Sequence, residues 1–227
     1  MSDGERLSRA DVVLLAWGPL TLLFILDGYF KHALYGYSPA SFWLFDAVKF
    51  VLLPAVILIW LARRHRILPA QYGMRAVAEN ESWGHFLGLT IFLAVVLALV
   101  FSVALFVAWF ILDFPEQIAF YKSIRPDGWL GISVVVYYSA TAGVVEEIFC
   151  RALPLLYLKK RFGKSLPGGF YVFATAFLFG LGHWENGNLE VAATFGYGLF
   201  AGALYLRLRD LWPLIGAHAL IDLWAFW

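Results

Sequence analysis

Seven apolar runs fill most of this chain. They lie near residues 12–30, 42–61, 86–112, 129–157, 168–183, 189–206 and 212–227. A helix needs about 20 apolar residues to cross roughly 30 Å of hydrocarbon. In lipid, backbone N–H and C=O groups must find partners within the protein, which a helix supplies from its own segment. The runs therefore predict an all-α, polytopic transmembrane helix bundle of about seven spans. The third run is the cleanest, with no formally charged residue from Phe86 to Leu112. The fifth is short, about 16 residues or ~24 Å at 1.5 Å per residue, and the seventh is equally short. Short spans end inside the membrane where their ends line a protein cavity. The chain is 62% hydrophobic, against about half in a soluble domain. No linker, low-complexity segment or internal repeat divides it, so residues 1–227 read as a single integral membrane domain.

The basic residues give an orientation, because Lys and Arg concentrate in cytoplasmic loops. With the N-terminus on one side, that side holds Arg6, Arg9, Arg63, Arg64, Arg66, Arg75, Lys159, Lys160, Arg161, Lys164, Arg207 and Arg209. The other side holds Lys31, Lys122 and Arg125, while Lys49 and Arg151 lie within spans. The expectation is a cytoplasmic N-terminus, an outside C-terminus and a place in the cytoplasmic (inner) membrane of a prokaryote. No signal-peptide pattern stands at the N-terminus, and the first run is long enough to remain as an anchor. A net charge of +1 suggests no nucleic-acid partner. A single cysteine, Cys150, excludes an internal disulfide and a zinc site built on cysteines.

The fourth run contains "GVVEEIFCRAL", with Glu146, Glu147 and Arg151 inside lipid-buried sequence. One charge at mid-bilayer costs about 2.5–3.5 kcal/mol on the insertion scale. Helical geometry divides the three. Glu147 and Arg151 are four residues apart, share a face and can pair. Glu146 is offset by about 100° and needs another partner. A structural ion-pair network explains Glu147 and Arg151 well and Glu146 poorly. Candidate partners stand on two other runs: His183 with Phe179 one turn earlier, and His218 with Asp222 one turn later. A single membrane histidine is more often a helix–helix hydrogen bond. Two histidines, a spare glutamate and an aspartate on three helices favour a functional site. Other features have plainer readings. Asp46 and Lys49 are spaced to pair, Pro54 to kink its span, Gly198 and Gly202 to pack a helix closely, and the span-end tryptophans to form an interfacial belt.

Glutamate and histidine together can activate a water, the carboxylate acting as general base. A second histidine can donate to a developing oxyanion. No serine, threonine or cysteine stands beside this set in an evident nucleophile motif, which favours direct attack by water on a carbonyl.

Three motifs then come into register. "EEIFCR" fits EExxxR, Phe179 to His183 fits FxxxH, and "HALID" fits HxxxN/D, in that order and on separate apolar helices. Over roughly residues 125–227 the chain resembles the CPBP family, which comprises CAAX prenyl proteases of the Rce1 type and bacteriocin-processing Abi proteins. The resemblance implies an intramembrane glutamic endopeptidase without a metal or other cofactor, its catalytic core at 125–227. It implies that Glu146 and His183 activate the water and that His218 and Asp222 stabilise the oxyanion. Glu147, Arg151 and Phe179 would support them. Asp222 departs from the asparagine common in the prenyl proteases. An ionised aspartate only accepts hydrogen bonds, so Asp222 either is protonated or orients His218 instead.

Two rival readings remain. Glu146, His183 and His218 offer a three-ligand zinc site, though without HExxH spacing. A proton-coupled transporter or non-catalytic membrane scaffold would also use intramembrane carboxylates and histidines. The expected partners are the lipid bilayer and a peptide or protein substrate, lipidated or carrying a hydrophobic sorting segment, cut near its C-terminus or in its leader.

Overall fold

The computed structural model describes residues 8–37, 39–74, 82–111, 127–165 and 167–227. Arg6, Arg75, Lys122 and Arg125, used above for orientation, lie outside the described residues, as do the side chains of Lys31 and Lys164. The described residues form helices and no strands. In chain order these are α1 (Arg9–Ile25), α2 (Asp27–Tyr37), α3 (Pro39–Ala47), α4 (Leu53–His65) and α5 (Trp83–Phe110). There follow α6 (Gly128–Glu147), α7 (Leu153–Phe162), α8 (Gly168–Leu181), α9 (Asn188–Leu208) and α10 (Trp212–Phe226). Among the described residues, four rods are long and apolar enough to cross a membrane: Ala40–His65, Trp83–Phe110, Gly128–Phe162 and Asn188–Leu208. Helices α8 and α10, at 14 and 15 residues, are the expected short pair. With α1 they make seven apolar rods among the described residues, and the protein is an all-α integral membrane bundle.

The first run departs from its expected limits. The apolar stretch to residue 30 is broken, with α1 ending at Ile25 and α2 starting at Asp27. The break suits Asp27, whose carboxylate is buried and forms an ion pair with Lys49. At its other end α1 is closed by a capping box: the Ser8 hydroxyl accepts from the Asp11 backbone N–H, and the Asp11 carboxylate accepts from the Ser8 N–H.

Two rods share a local device. Val48–Leu52 and Ile148–Ala152 are π-helical turns, each followed by Leu-Pro. Proline lacks an N–H, and its ring collides with the carbonyl four residues back. Widening the turn answers this, and Leu53 and Leu153 donate to carbonyls five residues back, on Val48 and Ile148. Each turn also carries a buried cation, Lys49 in one and Arg151 in the other.

Small residues set the helix packing. A Cβ on Gly143 in α6 would lie 2.9 Å from the Ile215 carbonyl oxygen of α10. One on Gly198 in α9 would lie 2.9 Å from the Ala176 Cα of α8. These approaches lock α6 to α10 and α8 to α9 by backbone contact, as small residues do in membrane proteins. Helix α5 lies against α9 and α10, and turns Leu87, Ile91, Phe92, Leu99 and Val103 outward. That exposed apolar face is what lipid would cover. The tryptophans are divided. Trp83, Trp129, Trp224 and Trp227 are exposed, whereas Trp17 stacks on Tyr157 and Trp43 packs on Tyr138.

Candidate active site

The adjacent glutamates occupy different surroundings. Glu147, the last residue of α6, is fully buried, while the Glu146 side chain keeps 15% of its surface. Glu147 Oε1 lies 3.5 Å from Arg151 Nη1, the pair expected from four-residue spacing. The same oxygen also accepts from His218 Nδ1 at 2.8 Å, a contact the sequence did not reveal. Since a carboxylate paired with a guanidinium accepts, the proton of His218 sits on Nδ1. The ring's other nitrogen, Nε2, faces Asp222 Oδ2 at 3.6 Å and Glu146 Oε2 at 3.8 Å. Those separations exceed a direct hydrogen bond. Glu147 therefore holds the ring, and Asp222 stands at the opposite nitrogen.

His183 is oriented by the end of α8. A helix of 14 residues covers about 21 Å, short of the roughly 30 Å hydrocarbon core. Its chain leaves the helix at Gly182, and His183 Nδ1 donates to the Phe179 carbonyl at 2.8 Å. A carbonyl only accepts, so in the neutral ring Nε2 of His183 is a free acceptor. Phe179 joins the motifs physically. The Arg151 guanidinium lies over its ring at 3.8 Å, and the His183 and His218 rings are 4.7 and 6.2 Å away. From α8, Tyr171 donates its hydroxyl to the Arg151 carbonyl at 3.1 Å, tying the π turn to the helix that carries Phe179 and His183.

Glu146, His183, His218, Asp222 and Phe179 all line one cavity of about 90 Å³. A water needs roughly 10–15 Å³ measured this way, so several fit beside polar partners. Glu147 and Arg151 stand behind the wall and are not among its lining residues. Phe50 and Phe101, from the rods before residue 125, complete the apolar side. A second cavity of about 30 Å³ shares Glu146, Phe179 and His183 and reaches Lys49, Asp27 and Cys150. Among the described residues, no three His, Cys, Asp or Glu side chains cluster as a metal-binding set.

Asn186, Glu190, Thr194 and Tyr197 also line the larger cavity and were not singled out from sequence. Glu190 had the signal that marked Glu146, a carboxylate in an apolar run. Tyr197 had none, since an aromatic in such a run looks like any lipid-facing ring.

Residues 127–224 match the family model described as "Type II CAAX prenyl endopeptidase Rce1-like". No curated protein and no solved structure matches the chain. The matched segment runs from the first residue before α6 to within α10 and includes all three motifs. Over that segment the chain is similar to the Rce1-like family of type II CAAX prenyl endopeptidases.

Proposed function

We propose that this protein is a glutamic intramembrane endopeptidase that hydrolyses a peptide bond with a water activated by Glu146 and His183. The observation that carries the reading is the unequal placement of the adjacent glutamates. Glu147 is sealed behind the cavity wall on Arg151 and His218, while Glu146 lines the cavity with His183, His218 and Asp222. In this scheme the Glu146 carboxylate takes a proton from water, and the bare Nε2 of His183 accepts the water's second hydrogen bond. The water oxygen attacks the substrate carbonyl carbon, and the C=O π pair moves onto oxygen as an oxyanion. When the tetrahedral intermediate collapses, the C–N bond breaks and the proton held by Glu146 passes to the leaving nitrogen. Nδ1 of His218 is engaged by Glu147, so its Nε2 donates only in the imidazolium form. That N–H is shared between Asp222 and the oxyanion. Glu147, Arg151 and Phe179 hold the rings.

The substrate is a membrane-associated peptide with a lipidated or hydrophobic tail, cut near its C-terminus or in its leader. The apolar wall of Phe50, Phe101 and Phe226 suits such a tail. The domain that does this is 125–227, in the cytoplasmic membrane of a prokaryote.

The test uses the purified full chain in liposomes. It is offered a farnesylated peptide ending in Cys-aliphatic-aliphatic-Met and the same peptide without the lipid, with products identified by mass spectrometry. Cleavage of a defined internal bond supports an endopeptidase, and preference for the lipidated peptide assigns the substrate class. Equal cleavage of both moves the substrate to hydrophobic segments in general. Cleavage of neither would contradict the reading.

A further inference from the structure

Tyr197 stands one residue before Gly198 in α9, outside all three motifs. It is 4% exposed and lines the larger cavity beside Glu146, His183, His218 and Asp222. Its hydroxyl is buried and has no hydrogen-bond partner among the described residues. A buried donor left unmade is destabilising, and such orphans in native structures call for an explanation. The nearby hydroxyl of Thr194, by contrast, donates to the Glu190 carbonyl at 2.7 Å.

The ring of Tyr197 is held on several sides. It packs at 5.4 Å from the His218 ring and 5.8 Å from Phe179, with the Arg151 guanidinium 5.6 Å from its centroid. Its phenol is within electrostatic reach of Glu147, Arg151, Asp222 and Glu146. The backbone beside it cannot move freely, because Gly198 already meets Ala176 of α8. An immobilised ring whose donor is taken by no described protein atom is suited to an incoming oxygen.

This chain also has a chemical need for such a donor. Asp222 only accepts while ionised. His218 Nε2 already faces two carboxylates, Glu146 and Asp222. We infer that Tyr197 is a catalytic residue whose hydroxyl donates a hydrogen bond to the scissile carbonyl oxygen as it becomes the oxyanion. This rests on the reading of Glu146 and His183 as the water-activating pair. Tyr197 transfers no proton. Its bond strengthens as negative charge gathers on the carbonyl oxygen and weakens again as the C–N bond breaks.

The test compares wild type, Tyr197→Phe and Glu146→Gln in the same liposomes. The probes are the farnesylated and lipid-free peptides and, for whichever is cleaved, a phosphonate with a tetrahedral anionic centre in place of the scissile amide. Removing one oxyanion donor typically lowers kcat about 10²–10³-fold. Tyr197→Phe is expected to lose at least ~100-fold in kcat with KM changed less than ~3-fold. Phosphonate affinity should fall while affinity for an uncleaved ground-state peptide does not. The thermal midpoint should hold or rise, because the substitution removes an orphaned polar atom. If the variant is less stable, the ratio of phosphonate to ground-state affinity still decides. An unchanged ratio, or wild-type kcat, overturns the role of Tyr197. Such a result beside an inactive Glu146→Gln leaves the glutamate reading intact. An active Glu146→Gln removes that reading, and the inference with it.

Discussion

At the scale of single residues, the proposed site has one carboxylate fixed behind the cavity wall while its neighbour lines the cavity. Glu147 holds two groups at once, Arg151 on its own rod and His218 on α10. Substituting Glu147 with Gln leaves Arg151 as an uncompensated charge at 1% exposure. Breaking a buried pair from one side typically costs about 3–5 kcal/mol. Glu147→Gln should therefore lower the unfolding temperature in detergent clearly and lose activity with it. Changing Glu147 to Gln and Arg151 to Met together removes the stranded charge and should recover much of the stability. Activity should stay low, since a neutral amide oxygen holds His218 Nδ1 less strongly than the carboxylate does. A double variant less stable than the single one would show that the two are not a pair. The Glu147–Arg151 pairing was legible from i, i+4 spacing. The bond from Glu147 to His218 was not, because 71 residues separate them and one sequence carries no register between helices. Lys49 shows the same limit. Its spacing offered Asp46, and the contact of its buried ammonium with Asp27, across the break between α1 and α2, could not be read from spacing.

At the scale of the element, what was legible was periodicity and what was not was depth. The apolar runs located the rods to within a few residues, except where α1 stops at Ile25. Hydropathy could not see that break, since the residues beyond it stay largely apolar while one buried aspartate sets the turn. Pro54 announced a distortion and received a π turn, and Pro154 received the same turn beside Arg151. The helix contacts that assemble the site rest on missing side chains. Gly143 is the sharpest case, because it fixes the distance between the helix bearing Glu147 and the helix bearing His218. Gly143→Leu should separate α6 from α10, lower stability by about 1–3 kcal/mol and reduce cleavage at least tenfold. Gly88→Ala in α5, with nothing within 4 Å of its added Cβ, should change neither. Thermal unfolding and initial rates for the two variants check this. Equal behaviour would mean that the α6–α10 approach does not position the site.

At the scale of the whole molecule, seven rods and the distribution of basic residues predict opposite sides of the membrane for Asp210 and Trp227. Reporter fusions at those two points should report the cytoplasm and the outside respectively, and a common side would refute the seven-span arrangement. The reaction should also survive prolonged dialysis against a chelator. Loss of cleavage restored by stoichiometric zinc would replace the water-activation scheme with a zinc centre on Glu146, His183 and His218. The most direct measurement is the initial rate of peptide cleavage by Glu146→Gln beside wild type in one liposome preparation, with both shown to be equally folded by thermal unfolding. Gln keeps the size of the side chain and removes the base. The predicted result is a normally folded variant with no detectable turnover. Wild-type turnover by the same variant would contradict the claim that Glu146 activates the water.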